Sequence, residues 1–327
     1  MLGLIARRLL SAVPLVAGVL TLTFLLVEAA PGRPADLLLG DGPVPPELRQ
    51  RIEAAYGLDQ PAYARYAAWL GNAFRGDLGW SLSRGRKVTS VFADALPRTI
   101  ELAALALAIQ LLLGVLLGAL HVARPGGPVD HGLGVLELVV ASVPSFWLGL
   151  MAILALAVAI PIFPPSSAHS IGASAWSFPA RAIDSLWHAA LPSLVLGLGA
   201  AAVISRFVRA GLVRSLGEGF VRAARARGAS RARRLWVHAL PAAVGPVITL
   251  AGLQLPVLVS GAVVVEVVFG WPGMGRVTYD AVMAQDFPVV LAAVLLATLL
   301  VIAGNLLADL GLFVVDPRLR LGRTSGR

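Results

Sequence analysis

The chain contains no cysteine, and a single lysine, Lys87, among its 27 basic residues. Without cysteine there is no disulfide, no thiolate catalysis and no iron–sulfur ligation. Lys87 sits between Arg86 and Val88, so no Gly-rich loop ends in Gly-Lys-Ser/Thr, and the chain cannot cradle ATP phosphates in that way. No His-Glu-x-x-His zinc motif and no Gly-x-Ser-x-Gly nucleophile elbow occurs. The five histidines, His121, His131, His169, His188 and His238, are scattered without ligand spacing, so neither a metal site nor a catalytic residue is expected. Charge is also scarce. Charged residues make up 14% of the chain, against about 25% in a soluble domain.

What is present is apolar. Hydrophobic residues make up 57% of the chain, and the mean hydropathy is +0.81. They cluster in six segments near 9–27, 100–120, 133–160, 189–204, 245–269 and 287–315. Each can cross a hydrocarbon core of about 30 Å at 1.5 Å per residue. The third is expected to be one tilted helix with an interfacial lead-in, bent at Pro144. The first, with Arg7 and Arg8 before it and a passable cleavage site at 27–29, has the outline of a signal peptide. Its apolar stretch is longer than such peptides carry, so it is read as a span. The expected fold is an all-α membrane protein with six transmembrane helices, a folded extracytoplasmic loop after the first and a cytoplasmic loop between the fourth and fifth. In ranges, 1–27 is the N-terminal tail and first span, 28–98 the outer loop, 99–315 a five-helix core containing the loop 205–241, and 316–327 a cytoplasmic tail.

The net charge of +9 is placed asymmetrically. With the N-terminus inside, the inner segments hold Arg7, Arg8, Arg124, nine arginines from 206 to 234, and Arg318, Arg320, Arg323 and Arg327. The short outer loops hold Arg181 and Arg276. Both termini are therefore expected in the cytoplasm, and the basic balance reports orientation rather than nucleic-acid binding. The outer loop should be ordered. Pro45, Pro46 and Glu47 can open a helix over about 46–56. A second helix after Pro61, over about 62–74, puts Tyr63, Tyr66, Ala67, Leu70 and Phe74 on one face. Such stripes should pack on the outer ends of the membrane helices.

The most informative stretch is 218–241. Phe220, Ala223 and Ala224 form a small apolar stripe flanked by Arg222 and Arg225. Gly228 can end that helix in a left-handed conformation, and Ser230 can cap a second one carrying Leu235 and Trp236. Pro241, after His238 and Leu240, is expected to mark re-entry into the membrane. Two short helices meeting at a glycine make a knob that suits either a groove on a soluble partner or anionic headgroups.

Arg222-Ala223-Ala224-x-x-x-Gly228, followed by His238-Ala239-Leu240-Pro241, resembles the "EAA" loop of ABC-importer permeases. The general motif has glutamate where Arg222 stands; the dipeptide/oligopeptide branch commonly has a basic residue there. Further matches to that branch are Gly76-Asp77-Leu78-Gly79-x-Ser81 and Gly57-Leu58-Asp59-Gln60-Pro61 in the outer loop. Glu266-x-x-Phe269-Gly270-x-Pro272-Gly273-x-Gly275 is similar to its segment-five exit, and Asp316-Pro317-Arg318-x-Arg320 to its C-terminal end. Each match is weak alone; several in order over a six-span chain are specific. The long first outer loop resembles the first of the two permeases of such systems. The resemblance implies a subunit that breaks no bond in its substrate. It implies a second homologous permease, two ATP-binding subunits that hold ATP and magnesium, and an extracytoplasmic substrate-binding protein. The coupling contact would fall on Phe220, Arg222, Ala223, Ala224, Arg225, Gly228, His238, Leu240 and Pro241. Short peptides are the implied cargo, with nickel complexes, glutathione and other small solutes known in related members.

Polar residues inside apolar segments carry a functional reading because lipid penalises them. Gln254, beside Pro256 in the fifth segment, is the leading candidate for the translocation path, with Gln110 and Asn305 after it. Glu266 and Asp309 lie near segment ends. Gly114-x-x-x-Gly118 suits close helix packing. The rival reading is an ion-coupled secondary transporter, which needs midplane carboxylates and an inverted repeat; neither is visible. A membrane-embedded hydrolase lacks its nucleophile–base pair.

Overall fold

The computed structural model describes residues 2–29 and 60–315. The helix expected over 46–56, Gly57, Leu58 and Asp59 of the outer-loop motif, and Asp316, Pro317, Arg318 and Arg320 lie outside the described residues. In chain order the elements are α1 (Leu2–Ala29), α2 (Ala62–Phe74), a minimal antiparallel hairpin of β1 (Trp80–Ser81) and β2 (Arg86–Lys87), and α3 (Val88–His121). There follow α4 (Pro128–Ser142), α5 (Ser145–Ile153, continued by a π-helical turn Leu154–Ala159), α6 (Phe178–Leu216), α7 (Gly219–Ala226) and α8 (Arg231–Arg233, continued by a π-helical turn Arg234–Ala239). The last are α9 (Leu240–Ala243), α10 (Gly245–Val268), α11 (Met274–Met283) and α12 (Phe287–Val315).

Four of these helices are long and apolar enough to cross a bilayer: α1 over Leu10–Ala29, α3, α6, and α12 over Phe287–Leu307. The pair α4 and α5 is a fifth if taken as one broken span. It is not the single tilted helix expected, because its halves meet at 103°. The break has a local cause. Val143, held by the following Pro144 in extended backbone (φ −80°, ψ 130°), cannot continue the helix. α10, with 24 residues, is about 36 Å long by its rise. Two spanning helices begin well before their apolar segments. α3 starts at Val88 and α6 at Phe178, where Pro179 occupies the first turn and no amide is lost.

By packing, the chain divides into two units. The first comprises 1–99 and 272–302. In it α2 packs on the C-terminal end of α1. Tyr66 stacks on Phe24 at 5.0 Å between ring centroids, its hydroxyl hydrogen-bonds Thr21 Oγ1 at 2.9 Å, and Arg65 pairs with Glu28. The half-buried side of α2 overlaps the expected face only in part. Tyr66 and Leu70 of that face are half-buried, but Tyr63 and Phe74 are 77% and 86% exposed and Ala67 is exposed, whereas Ala62, Arg65, Trp69 and Ala73 are half-buried. The stripe is rotated toward Arg65 and Tyr66, which make the ion pair and the hydroxyl contact with α1. α2 ends at Gly76 (φ +81°), with Gly76 N donating to Ala73 O and Asp77 N to Asn72 O at 3.0 Å each. Asp77 then accepts the Gly79 amide at 3.0 Å, and Gly79 has φ +89°. The Gly76–Gly79 motif thus serves as a double turn that delivers Ser81 into the core. Ser81 Oγ donates to the buried Asp286 at 2.6 Å, joined by Ser83 N at 3.0 Å and Ser83 Oγ at 2.7 Å.

The second unit comprises 100–271 and 303–327. α3 and α6 approach closely along its length. A Cβ on Gly114 would lie 2.5 Å from Ile204, and one on Gly118 2.6 Å from Val208. Leu102, Leu191, Val195, Val265, Phe269 and Trp271 build one core cluster, and a second joins Ile204, Val208, Leu212, Val221, Ala239 and Ala243. α10 ends as the glycine pattern requires. Gly270 (φ +59°) is followed by Trp271, whose amide donates to Glu266 O at 2.8 Å.

Candidate functional site

Residues 217–243 fold into the two-armed knob expected between α6 and α10. α7 terminates in a Schellman motif: Gly228 (φ +83°) donates to Arg225 O at 3.0 Å, and Ala229 N to Ala224 O at 3.0 Å. Ser230 Oγ accepts from Arg233 N at 3.3 Å and caps the second arm. The arms return through the π-helical turn to α9, which Pro241 opens. Pro241 thus lies in the first turn of α9, four residues before α10 begins at Gly245. Pro241 suits a first helical turn, so it starts another short helix.

The apolar stripe expected on α7 is split. Ala224 and Val221 are each 2% exposed, and Val221 packs into the chain's own core with Leu212, Ala239 and Ala243. Phe220 is 47% exposed, and Ala223, Arg222, Arg225, Arg227 and Gly228 are exposed. The outward face is thus Phe220 and Ala223 ringed by arginines, with Trp236 and Val237 exposed on the other arm. Ala224 belongs to the inner side because Val221 and Ala224, three residues apart, share the face toward α6, a pairing hidden by reading Phe220 as the anchor. His238 and Leu240 are half-buried.

The candidate path residues differ in burial. Gln110 is 0% exposed on α3, and neither atom of its amide has a hydrogen-bond partner among the described residues. It therefore faces no open channel in this conformation. Gln254 on α10 and Asn305 on α12 are half-buried, and the side chain of Pro256 lies outside the described set. Glu266 is fully buried at the end of α10. Of the remaining motif residues, Gly273 precedes α11 in extended backbone (φ −90°, ψ 179°), Gly275 is buried in its first turn, and Pro272 lines a surface cleft of about 260 Å³ with Arg84, Arg86, Asp94, Arg276 and Asp280. In that cleft Arg84 pairs with Asp280 at 3.1 Å and Arg86 with Asp94 at 2.6 Å.

Two polar clusters escaped sequence reasoning. Asp184 on α6 accepts Ser170 N at 2.9 Å and Ser170 Oγ at 2.6 Å, with His169 and His188 each at 3.3 Å, and so pins the loop after α5. At the other end of the unit His121, Asp130, Glu137 and Arg209 come together, and they line a cleft of about 550 Å³ with Arg206. Only the nine-residue spacing of His121 and Asp130 was visible beforehand, and it matches no known ligand pattern. Among the described residues no group of histidine and carboxylate side chains is arranged to hold a metal ion.

The chain is similar to known proteins along its whole length. The chain is 34% identical over 320 residues to the oligopeptide transport system permease protein AppB of Bacillus subtilis (strain 168), covering 98% of this chain and 99% of that one. It is 36% identical over 336 residues to the dipeptide transport system permease protein DppB of Escherichia coli (strain K12), with the same coverage. Among solved structures, a chain of the inward-facing MetNI methionine ABC transporter matches with 20% identity and a TM-score of 0.49, over 68% of this chain and 97% of that one. The family model of the binding-protein-dependent transport system inner membrane component matches residues 110–321, and that of its N-terminal region residues 1–103. The chain therefore belongs to the binding-protein-dependent transport inner membrane components, and is a multi-pass membrane permease.

Proposed function

We propose that this chain is a translocation-path subunit of an ATP-driven importer of di- and oligopeptides, and that the knob at 217–243 is its contact with separate ATP-binding subunits. The observation that carries the reading is the knob itself. It presents Phe220 and Ala223 outward within a ring of arginines, on two arms fixed by a left-handed glycine and a serine cap. A small apolar surface fits a groove closely, and guanidinium groups pair with carboxylates on its rim. End-to-end similarity to permeases named for dipeptides and oligopeptides supports the cargo.

In this reading the chain crosses the membrane six times with both termini in the cytoplasm. It pairs with a second homologous permease and accepts cargo from an extracytoplasmic binding protein. ATP and magnesium are held by the partner subunits. Closure of the ATPase pair displaces the knob, and the spanning helices reorient around the path by rigid-body movement. The test is uptake by a strain stripped of its own peptide importers and supplied with this chain and its genomic neighbours. Labelled di- and tripeptides should accumulate in an ATP-dependent way. Accumulation of nickel or glutathione instead would reassign the cargo, and accumulation driven by an ion gradient without ATP would overturn the reading.

A further inference from the structure

Four ionisable side chains from three helices meet at one end of the second unit. His121 ends α3, Asp130 and Glu137 lie on α4, and Arg209 lies on α6. His121 Nδ1 is 2.5 Å from Asp130 Oδ1, and Nε2 is 3.1 Å from Glu137 Oε1. The second Asp130 oxygen accepts Arg209 Nη2 at 2.7 Å and the Gly126 amide at 2.8 Å. The side chains of His121, Asp130 and Glu137 are each 4% exposed. Each ring nitrogen of the imidazole thus faces a carboxylate oxygen, and the Arg209 guanidinium holds the second oxygen of Asp130.

The knob reaches this cluster by two routes. α6 carries Arg209 and runs into α7 through Gly217 and Glu218 alone. Arg231, on the second arm, donates to the backbone carbonyl of Ala123, in the turn between α3 and α4 that also supplies Gly126.

We propose that the cluster centred on Asp130 is a positioning clamp that makes the ends of α3, α4 and α6 move as one body with the knob. Displacing the knob then moves the ends of α3 and α4 together with α6 rather than α6 alone. The clamp stays closed through the cycle, because parting the buried carboxylates from their hydrogen-bond partners leaves polar groups unsatisfied away from water. The inference rests on the transporter reading above, and neither Asp130 nor Arg209 contacts cargo in it.

The experiment uses the complete complex with its partner subunits, and reads the ratio of substrate-stimulated to basal ATP hydrolysis. Arg209 is 46% exposed, so Arg209→Gln should leave folding and subunit stoichiometry intact. It should lower the ratio about fivefold, the order of a moderate coupling energy. Arg209→Lys keeps a cationic donor and should retain most of the ratio. Asp130→Asn should behave as Arg209→Gln does. Spin labels on cysteines introduced into α4 and α6 of this cysteine-free chain, with cysteine-free partners, should keep one separation in nucleotide-free and ATP-trapped states. A wild-type ratio in Arg209→Gln, or a label separation that changes between the states, overturns the clamp. A wild-type complex without any stimulated hydrolysis would instead count against the transporter reading, and the label separation still decides the clamp.

Discussion

Gly228 and Ala224 lie four residues apart and are expected to fail in different ways. Gly228 has φ +83° and open space where a Cβ would stand, so the obstacle to replacement is backbone conformation alone. A left-handed L-residue costs about 1–2 kcal/mol, and β-branching adds to it. Gly228→Val should therefore misalign the two arms, abolishing substrate-stimulated ATP hydrolysis while the chain still inserts in the membrane. Ala224 is buried against the chain's own core, so Ala224→Asp should not act by spoiling a docking face. A buried unpaired carboxylate should destabilise the knob by several kcal/mol, seen as protease cleavage near 217–243 in the isolated subunit. Phe220→Asp places its charge on the outward face. It should leave protease resistance unchanged and weaken co-purification of the ATP-binding subunits. If Phe220→Asp co-purifies normally, the outward face of α7 is not the contact.

Among the elements, the hairpin β1–β2 and the α3–α6 pair rest on opposite kinds of contact. The hairpin has two residues per strand, too few to hold by its own ladder, and hangs on Asp286 through Ser81 and Ser83. Ser81→Ala removes a buried, charge-assisted bond and should cost about 1.5–3 kcal/mol; faster amide exchange in 79–88 is the measurement. The α3–α6 pair is steric. Val at Gly114 would meet Ile204 at under 3 Å, so Gly114→Val should cost about 1–3 kcal/mol or more, as a lowered thermal midpoint in detergent. An unchanged midpoint would mean the helices do not approach as described. Much of this level was legible. Gly228 stops α7 and Ser230 caps the next arm as expected, whereas Gly76 and Gly270, read only as motif residues, also prove to be left-handed helix ends. The face of α2 was legible only at Tyr66 and Leu70. Its orientation depends on Glu28 and Thr21 of another helix, and helical periodicity cannot weigh an ion pair against a tyrosine ring. The depth of the α4–α5 break was equally hidden, since Pro144 announces a bend but not its angle.

For the molecule as a whole, the absence of cysteine makes topology directly measurable. A cysteine introduced at Arg227 should react with a membrane-impermeant thiol reagent only after the membrane is opened, and one introduced at Gly172 from outside without opening. Reaction at position 227 in intact cells would invert the orientation. The sequence by itself determined the solvent: apolar runs of bilayer length, arginines gathered on alternate connections, and glycines where chains must turn left-handed. These are properties of single segments, which the bilayer and backbone sterics judge one at a time. Tertiary structure alone decided which small residues face inward, as Val221 and Ala224 do, and which buried polar groups find each other. His121, Asp130, Glu137 and Arg209 are separated by up to 88 positions, and nothing local requires them to meet. Only packing three helices against one another removes His121, Asp130 and Glu137 from water and makes their pairing obligatory.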